Sequence, residues 1–241
     1  MTIIDSIKTS MLVPIHSAGI PFIAIFAIMT FITGWFWNPL YLLGLVLTLW
    51  CIYFFRNPVR VTPVLTGANK NNLIVSPADG RVIEISQISP DEEIGLPVGN
   101  WTRVCVFMNV FDVHVNRAPM LGKIFYKNYI SGSFFNASLD KASSENERLI
   151  LGMDAENGKK IAFVQIAGLV ARRIICDVDI GSSLKAGEVF GLIRFGSRVD
   201  IYFPSDASVM VLKGQKMIAG ETIIGDFTKS SKSVKDNLNE K

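Results

Sequence analysis

The 241-residue chain has a net charge of +3, too slight a surplus to argue for nucleic acid, and no basic run is interleaved with aromatics. Its mean hydropathy of +0.36 is high for a soluble protein, and the excess is local: no Lys, Arg, Asp or Glu occurs from Thr9 to Phe55. Three cysteines, Cys51, Cys105 and Cys176, lie far apart without metal-ligand spacing, so they read as buried, reduced thiols in a cytoplasm-facing protein and no metal is expected.

Residues 1–17 are a polar and amphipathic lead-in with Asp5 and Lys8. Two apolar runs follow, residues 19–37 and 40–55, separated by Asn38-Pro39. As helices they would each reach roughly 24–28 Å, close to the hydrocarbon thickness of a bilayer. Trp35, Trp37 and Tyr41 cluster at the break as an aromatic belt, and Lys8, Arg56 and Arg60 mark the opposite interface. The positive-inside rule then places the N-terminus and everything after Arg60 on the cytoplasmic side of the cell membrane. Two readings of the pair stay open: a hairpin that spans, or a shallow one that enters a single leaflet, with Pro21 in its first half.

Beyond Pro63 short alternating segments recur between Gly, Pro, Asn and Asp clusters: residues 73–75, 81–85, 103–110, 123–129, 160–166, 172–177, 189–193, 199–203, 210–212 and 222–225. Residues 178–187 and 213–221 are glycine-punctuated turns like those of lipoyl-type β-sandwiches, and residues 134–157 read as a polar loop over the sheet. The expected fold is mainly β, an antiparallel β-sandwich or partly open barrel with lipoyl-like turns, preceded by a membrane-bound helical hairpin. The expected boundaries are an anchor over residues 1–60, a β-rich domain over 61–227 and a flexible tail over 228–241.

Three stretches carry candidate chemistry. Ser76-Pro77-Ala78-Asp79-Gly80 places a carboxylate at a turn between strands. If the strand from Val104 continues, its even face changes from Val104, Val106, Met108 and Val110 to Asp112, His114 and Asn116. His114 is the sole histidine outside the membrane lead-in, and either Asp79 or Asp112 could orient its ring. Finally Arg194-Phe195-Gly196-Ser197-Arg198-Val199-Asp200 opens a strand with Val199, Ile201 and Phe203 on one parity and Arg198, Asp200 and Tyr202 on the other. Gly196 leaves its carbonyl unshielded beside the Ser197 hydroxyl. No metal, nucleotide, flavin or hydrolase-elbow motif accompanies them.

In this order, behind a membrane-binding N-terminus, the three stretches resemble the phosphatidylserine decarboxylases, and most of all their short proenzyme class. The resemblance runs from about Val13 to Gly225. It implies that Ser197 attacks the Gly196 carbonyl, that the resulting ester eliminates, and that residue 197 becomes a covalent pyruvoyl group. It implies a β chain of residues 1–196 and an α chain from residue 197, held as a heterodimer that could pair again. By the same resemblance His114 is the base for Ser197, Asp79 orients it, and the pyruvoyl ketone condenses with the amine of phosphatidylserine to release phosphatidylethanolamine. Arg194, Arg198 and Arg117 are candidates for the substrate phosphate.

Two departures stand out: the cleavage stretch reads Phe-Gly-Ser-Arg where longer members carry Leu-Gly-Ser-Thr, and Phe111 occupies the position of their second histidine. The proton donor after decarboxylation is then His114 a second time, or water. Two other classes fit parts of the pattern, a membrane-tethered lipoyl-like adaptor without catalysis and a membrane serine hydrolase that uses Ser197 unaltered.

Overall fold

The computed structural model describes residues 13–65, 67, 71–139, 142–169, 173–194 and 196–230. With 22% of residues in helices and 39% in strands, the fold is mainly β. The chain divides into two compact units. One comprises the described residues up to Val59 together with Phe111–Val115, and the other comprises Arg60–Val110 and the described residues from Asn116 onward.

The first unit is built on two apolar helices, α1 (Ile20–Phe36) and α2 (Asn38–Phe54). Each has proline in its first turn, where the missing N–H would have had no partner anyway, so Pro21 starts α1 and does not kink it. Extended Trp37 joins them, and a Thr30–Thr48 hydroxyl pair at 3.2 Å ties their middles. The two ends are closed by His16 N–H to the Phe55 carbonyl and Asn57 N–H to the Pro14 carbonyl. Residues Ser17–Phe36 are long and apolar enough to cross a membrane. Large apolar side chains point outward along both helices, Trp35, Phe36 and Leu42 among them.

The second unit is antiparallel throughout its large sheet, a curled half-barrel of eight strands in the order β13-β2-β3-β11-β7-β6-β5-β9. The strands are β2 (Gly80–Ile88), β3 (Trp101–Met108), β5 (Gly122–Ile130), β6 (Arg148–Ala155), β7 (Lys160–Ala167), β9 (Ser183–Leu184), β11 (Ser197–Pro204) and β13 (Lys216–Met217). Two three-stranded sheets complete it, β1 (Leu73–Val75) with β14 (Ile223–Ser230) and β12 (Ala207–Val209), and β4 (Val115–Arg117) with β10 (Val189–Ile193) and β8 (Ile174–Cys176). The concave core gathers Val82, Val104, Val106, Met108, Phe163, Val199, Ile201 and Phe203 from the large sheet with Ile74, Phe190 and Ile193 from the small ones. A second cluster, including Ile150, Val164, Ile166 and Tyr202, covers the opposite face.

That second cover explains two of the departures from the expected elements. Residues 148–155 form a central strand, although a loop was expected there. Six of its eight residues from Arg148 on are buried without a break, and a strand covered on both faces loses its alternation. For the same reason β11 is buried on both parities, and Arg198 and Asp200 are as inaccessible as Val199. β3 stops at Met108 and a turn intervenes before β4, so Asp112 and His114 do not extend a face of β3. Strand β12 lies at residues 207–209, three earlier than its expected place at 210–212. Of the cysteines, Cys51 and Cys105 are buried and Cys176 is half-buried. Strand β14 runs to Ser230, into the stretch expected as a tail, and residues 231–241 lie outside the described residues.

Candidate active site

The three motifs fall on identifiable ends of these elements. Ser197 opens β11 and is paired on both sides, with Met108 at the end of β3 and with Ala167 at the end of β7. One strand beyond β3, Arg81 pairs Phe107 at the start of β2. The turn carrying Asp79 and the Gly196-Ser197 stretch therefore lie at the same end of the large sheet, two strands apart, or about 10 Å. Gly80 makes that turn possible: its φ is +132°, and a Cβ there would fall 2.0 Å from the Phe107 carbonyl oxygen.

Just before Ser197, Gly196 has φ +60°, the left-handed region that a side chain strains. Its carbonyl oxygen is seated against Gly168, where a Cβ would come within 1.9 Å of it. The Ser197 hydroxyl next to it is fully buried and has no hydrogen-bond partner among the described residues. Most buried hydroxyls find a hydrogen-bond partner, and one without a partner calls for an explanation, a catalytic role among the choices. Phe195 lies outside the described residues.

Asp79 accepts Arg60 Nη2 on both carboxylate oxygens, Oδ2 at 2.8 Å and Oδ1 at 3.0 Å, and its Oδ1 accepts the backbone N–H of Ala219 at 2.8 Å. Arg60 lines a cleft of about 330 Å³ with Thr62, Lys185, Ala186, Gly187 and Glu188. Arg117 donates to the Gly187 carbonyl at 2.9 Å. Burial and then the Arg60 guanidinium lower its pKa, against the pull of Asp79 and Glu221.

His114 belongs to the helical unit, its ring 4.3 Å from that of Phe54 between centroids. Its Nδ1 is 3.0 Å from the Asp112 carbonyl oxygen. A carbonyl can only accept, so Nδ1 carries the proton and Nε2 of the neutral ring is the basic nitrogen. Burial pushes the His114 pKa down to about 4, with the Asp112 bond opposing and Arg56 adding to the depression. His114 is thus neutral at physiological pH, the state a general base needs.

The remaining arginines are not alike. Arg198 is fully buried and forks onto Asp200, Nε to Oδ1 at 2.5 Å and Nη2 to Oδ2 at 2.7 Å, with Nη2 also 2.9 Å from Cys105 Sγ. The fork that would grip a phosphate is filled by a carboxylate. Burial and then Arg173 lower the pKa of Arg194.

Gln165 went unremarked in the sequence. It sits on β7 opposite Val199, fully buried, with its Oε1 unpartnered. The row Ile161, Phe163, Gln165, Ala167 breaks an otherwise apolar core parity, and that break was the available signal.

Residues 47–225 match the family model of phosphatidylserine decarboxylase. The match spans all three motifs and most of the chain, and the protein therefore belongs to the phosphatidylserine decarboxylase family, decarboxylating lyases of phospholipid biosynthesis.

Proposed function

We propose that the chain cuts itself between Gly196 and Ser197 and then converts phosphatidylserine to phosphatidylethanolamine and carbon dioxide. The observation that carries this is the buried, unpartnered Ser197 hydroxyl beside a positive-φ glycine. Ser197 Oγ forms a bond to the Gly196 carbonyl carbon as the C–N bond breaks, and its proton passes to the freed nitrogen. Loss of the residue-197 α-proton then expels the Gly196 carboxylate and leaves dehydroalanine, which takes up one water and releases ammonia. The neutral Nε2 of His114 is the base for the first proton, its ring oriented through Nδ1 by the Asp112 carbonyl, and Asp79 is the carboxylate that stabilises the charge the ring takes up.

The residues around position 197 suit a pyruvoyl group, because β3 and β7 hold both flanks of β11 without needing the bond to Gly196. When formed, that group supplies a ketone for the substrate amine and an electron sink for decarboxylation. The β and α chains would stay together through the same ladder. Arg117 and Arg60, beside the cleft with Lys185, are the better-placed cations for the phosphodiester, and Arg198 has a structural role. The apolar helices attach the protein to the cytoplasmic side of the membrane, where the acyl chains can stay in lipid while the headgroup reacts.

The test compares wild type and Ser197→Ala in phosphatidylserine vesicles. The wild type should form phosphatidylethanolamine, and the variant should remain uncut and inactive. A cut or active Ser197→Ala protein would sink the reading. Labelling of the wild type by a fluorophosphonate would favour a serine hydrolase.

A further inference from the structure

The concave face of the β unit holds two buried polar side-chain atoms without a partner among the described residues, Ser197 Oγ and Gln165 Oε1. They occupy one corner of that face. Ser197 stands opposite Ala167, and Val199 opposite Gln165, so Gln165 is the diagonal neighbour of Ser197, about 7 Å away between Cβ atoms.

Surroundings fix which way the amide points. Gln165 Nε2 lies 2.8 Å from Asn116 Oδ1 and 3.5 Å from the Ile175 carbonyl, while Asn116 Nδ2 faces Met108 Sδ at 3.7 Å. The Ile175 carbonyl can only accept, which places nitrogen on that side and leaves Oε1 as the open acceptor. A leucine or methionine would fill this space without burying an unpaired oxygen. A glutamine there is accounted for by a donor that arrives with a ligand.

We infer that Gln165 Oε1 receives an N–H of the substrate amine and so orients the serine headgroup toward residue 197, an inference that rests on the function proposed above. Of the three polar groups in that headgroup, the ionised carboxylate and the phosphodiester offer only acceptor oxygens. The amine alone can satisfy Oε1. An amine that donates one N–H to Gln165 has its lone pair directed away from that oxygen, and residue 197 is the neighbouring position on the same face.

Mature protein is titrated with glycerophosphoethanolamine, which has N–H groups, and with glycerophosphocholine, which has none, and its self-cleavage is followed by intact mass. Wild type should favour the ethanolamine compound. Gln165→Leu should still cut itself between residues 196 and 197, and its preference should fall tenfold or more. Reaction of the amine with the ketone is common to both proteins, so the change in ratio isolates the contact. Gln165→Glu, which keeps an acceptor, should cut itself and retain the preference, a rescue that a disturbed core would not give.

Three results overturn the inference: no preference in cleaved wild type, an undiminished preference in cleaved Gln165→Leu, or a lost preference in cleaved Gln165→Glu. If Gln165→Leu does not fold, the Glu variant decides alone. A wild type that stays one uncut chain while active removes the proposed function itself, which is a separate outcome.

Discussion

The carbonyl oxygen of Gly196 rests on the α-carbon of Gly168, leaving no room for a side chain at residue 168. The contact braces that carbonyl from the end of β7, next to the bond proposed to break. Gly168→Ala should push the carbonyl away from Ser197 and slow self-cleavage by roughly tenfold to a hundredfold, since small displacements of reacting atoms cost about that much. The ratio of precursor to cut chains over time measures it. Cleavage at the wild-type rate would show that the carbonyl needs no such brace.

The Arg198–Asp200 pair is wholly buried. Removing one partner of such a pair strands the other charge, at a cost of about 3–5 kcal/mol. Asp200→Asn, made in the uncleaved Ser197→Ala background, should therefore lower the melting temperature by about 10 °C. Arg198→Met combined with Asp200→Leu should be far milder. Equal loss in the single and double variants would contradict an uncompensated charge as the cause.

Self-cleavage should follow the titration of His114. Its pKa is depressed to about 4 from an ordinary 6.5, mainly by burial, so the base is present above that value and is lost as pH falls through it. Cleavage rates should stay flat from neutral pH to about pH 5 and fall with a midpoint near 4. A midpoint near 6.5 would remove His114 from the role or from its buried setting. The linked effect on folding has the same sign. Between pH 6.5 and 4 the unfolded chain binds a proton that the folded one refuses, so stability declines across that window by up to about 3 kcal/mol.

Asp79 and Arg60 separate a chemical role from a mechanical one. Their side chains are 14% and 13% exposed and joined by two short bonds. Arg60→Met should leave self-cleavage within a few-fold of wild type, while Asp79→Ala should slow it at least about a hundredfold, as expected for the loss of a carboxylate that stabilises the protonated base. Equal effects from the two changes would mean that Asp79 serves to hold Arg60 and the turn.

Much of the β unit was legible from alternation. β2, β5, β7 and β10 were anticipated within a few residues because Gly, Pro and Asp clusters punctuate them. β6 escaped because both its faces are covered, so Leu149, Ile150, Leu151 and Met153 give a continuous apolar run beside the polar stretch at 143–148. The motif residues were legible too, as residue types at turns and strand ends. Their environments were not. Whether Arg198 is a phosphate ligand or half of a buried pair depends on Asp200 and Cys105 being sealed by a second cluster of side chains. Gln165 acquires meaning only once β7 is placed beside β11.

The central claim is that residue 197 ceases to be serine. Intact mass of the purified protein tests it most directly. Two chains are expected, a larger one ending at Gly196 and a smaller one beginning at residue 197 with a blocked terminus and the mass of a pyruvoyl group. A single full-length species in a preparation that decarboxylates phosphatidylserine would contradict it.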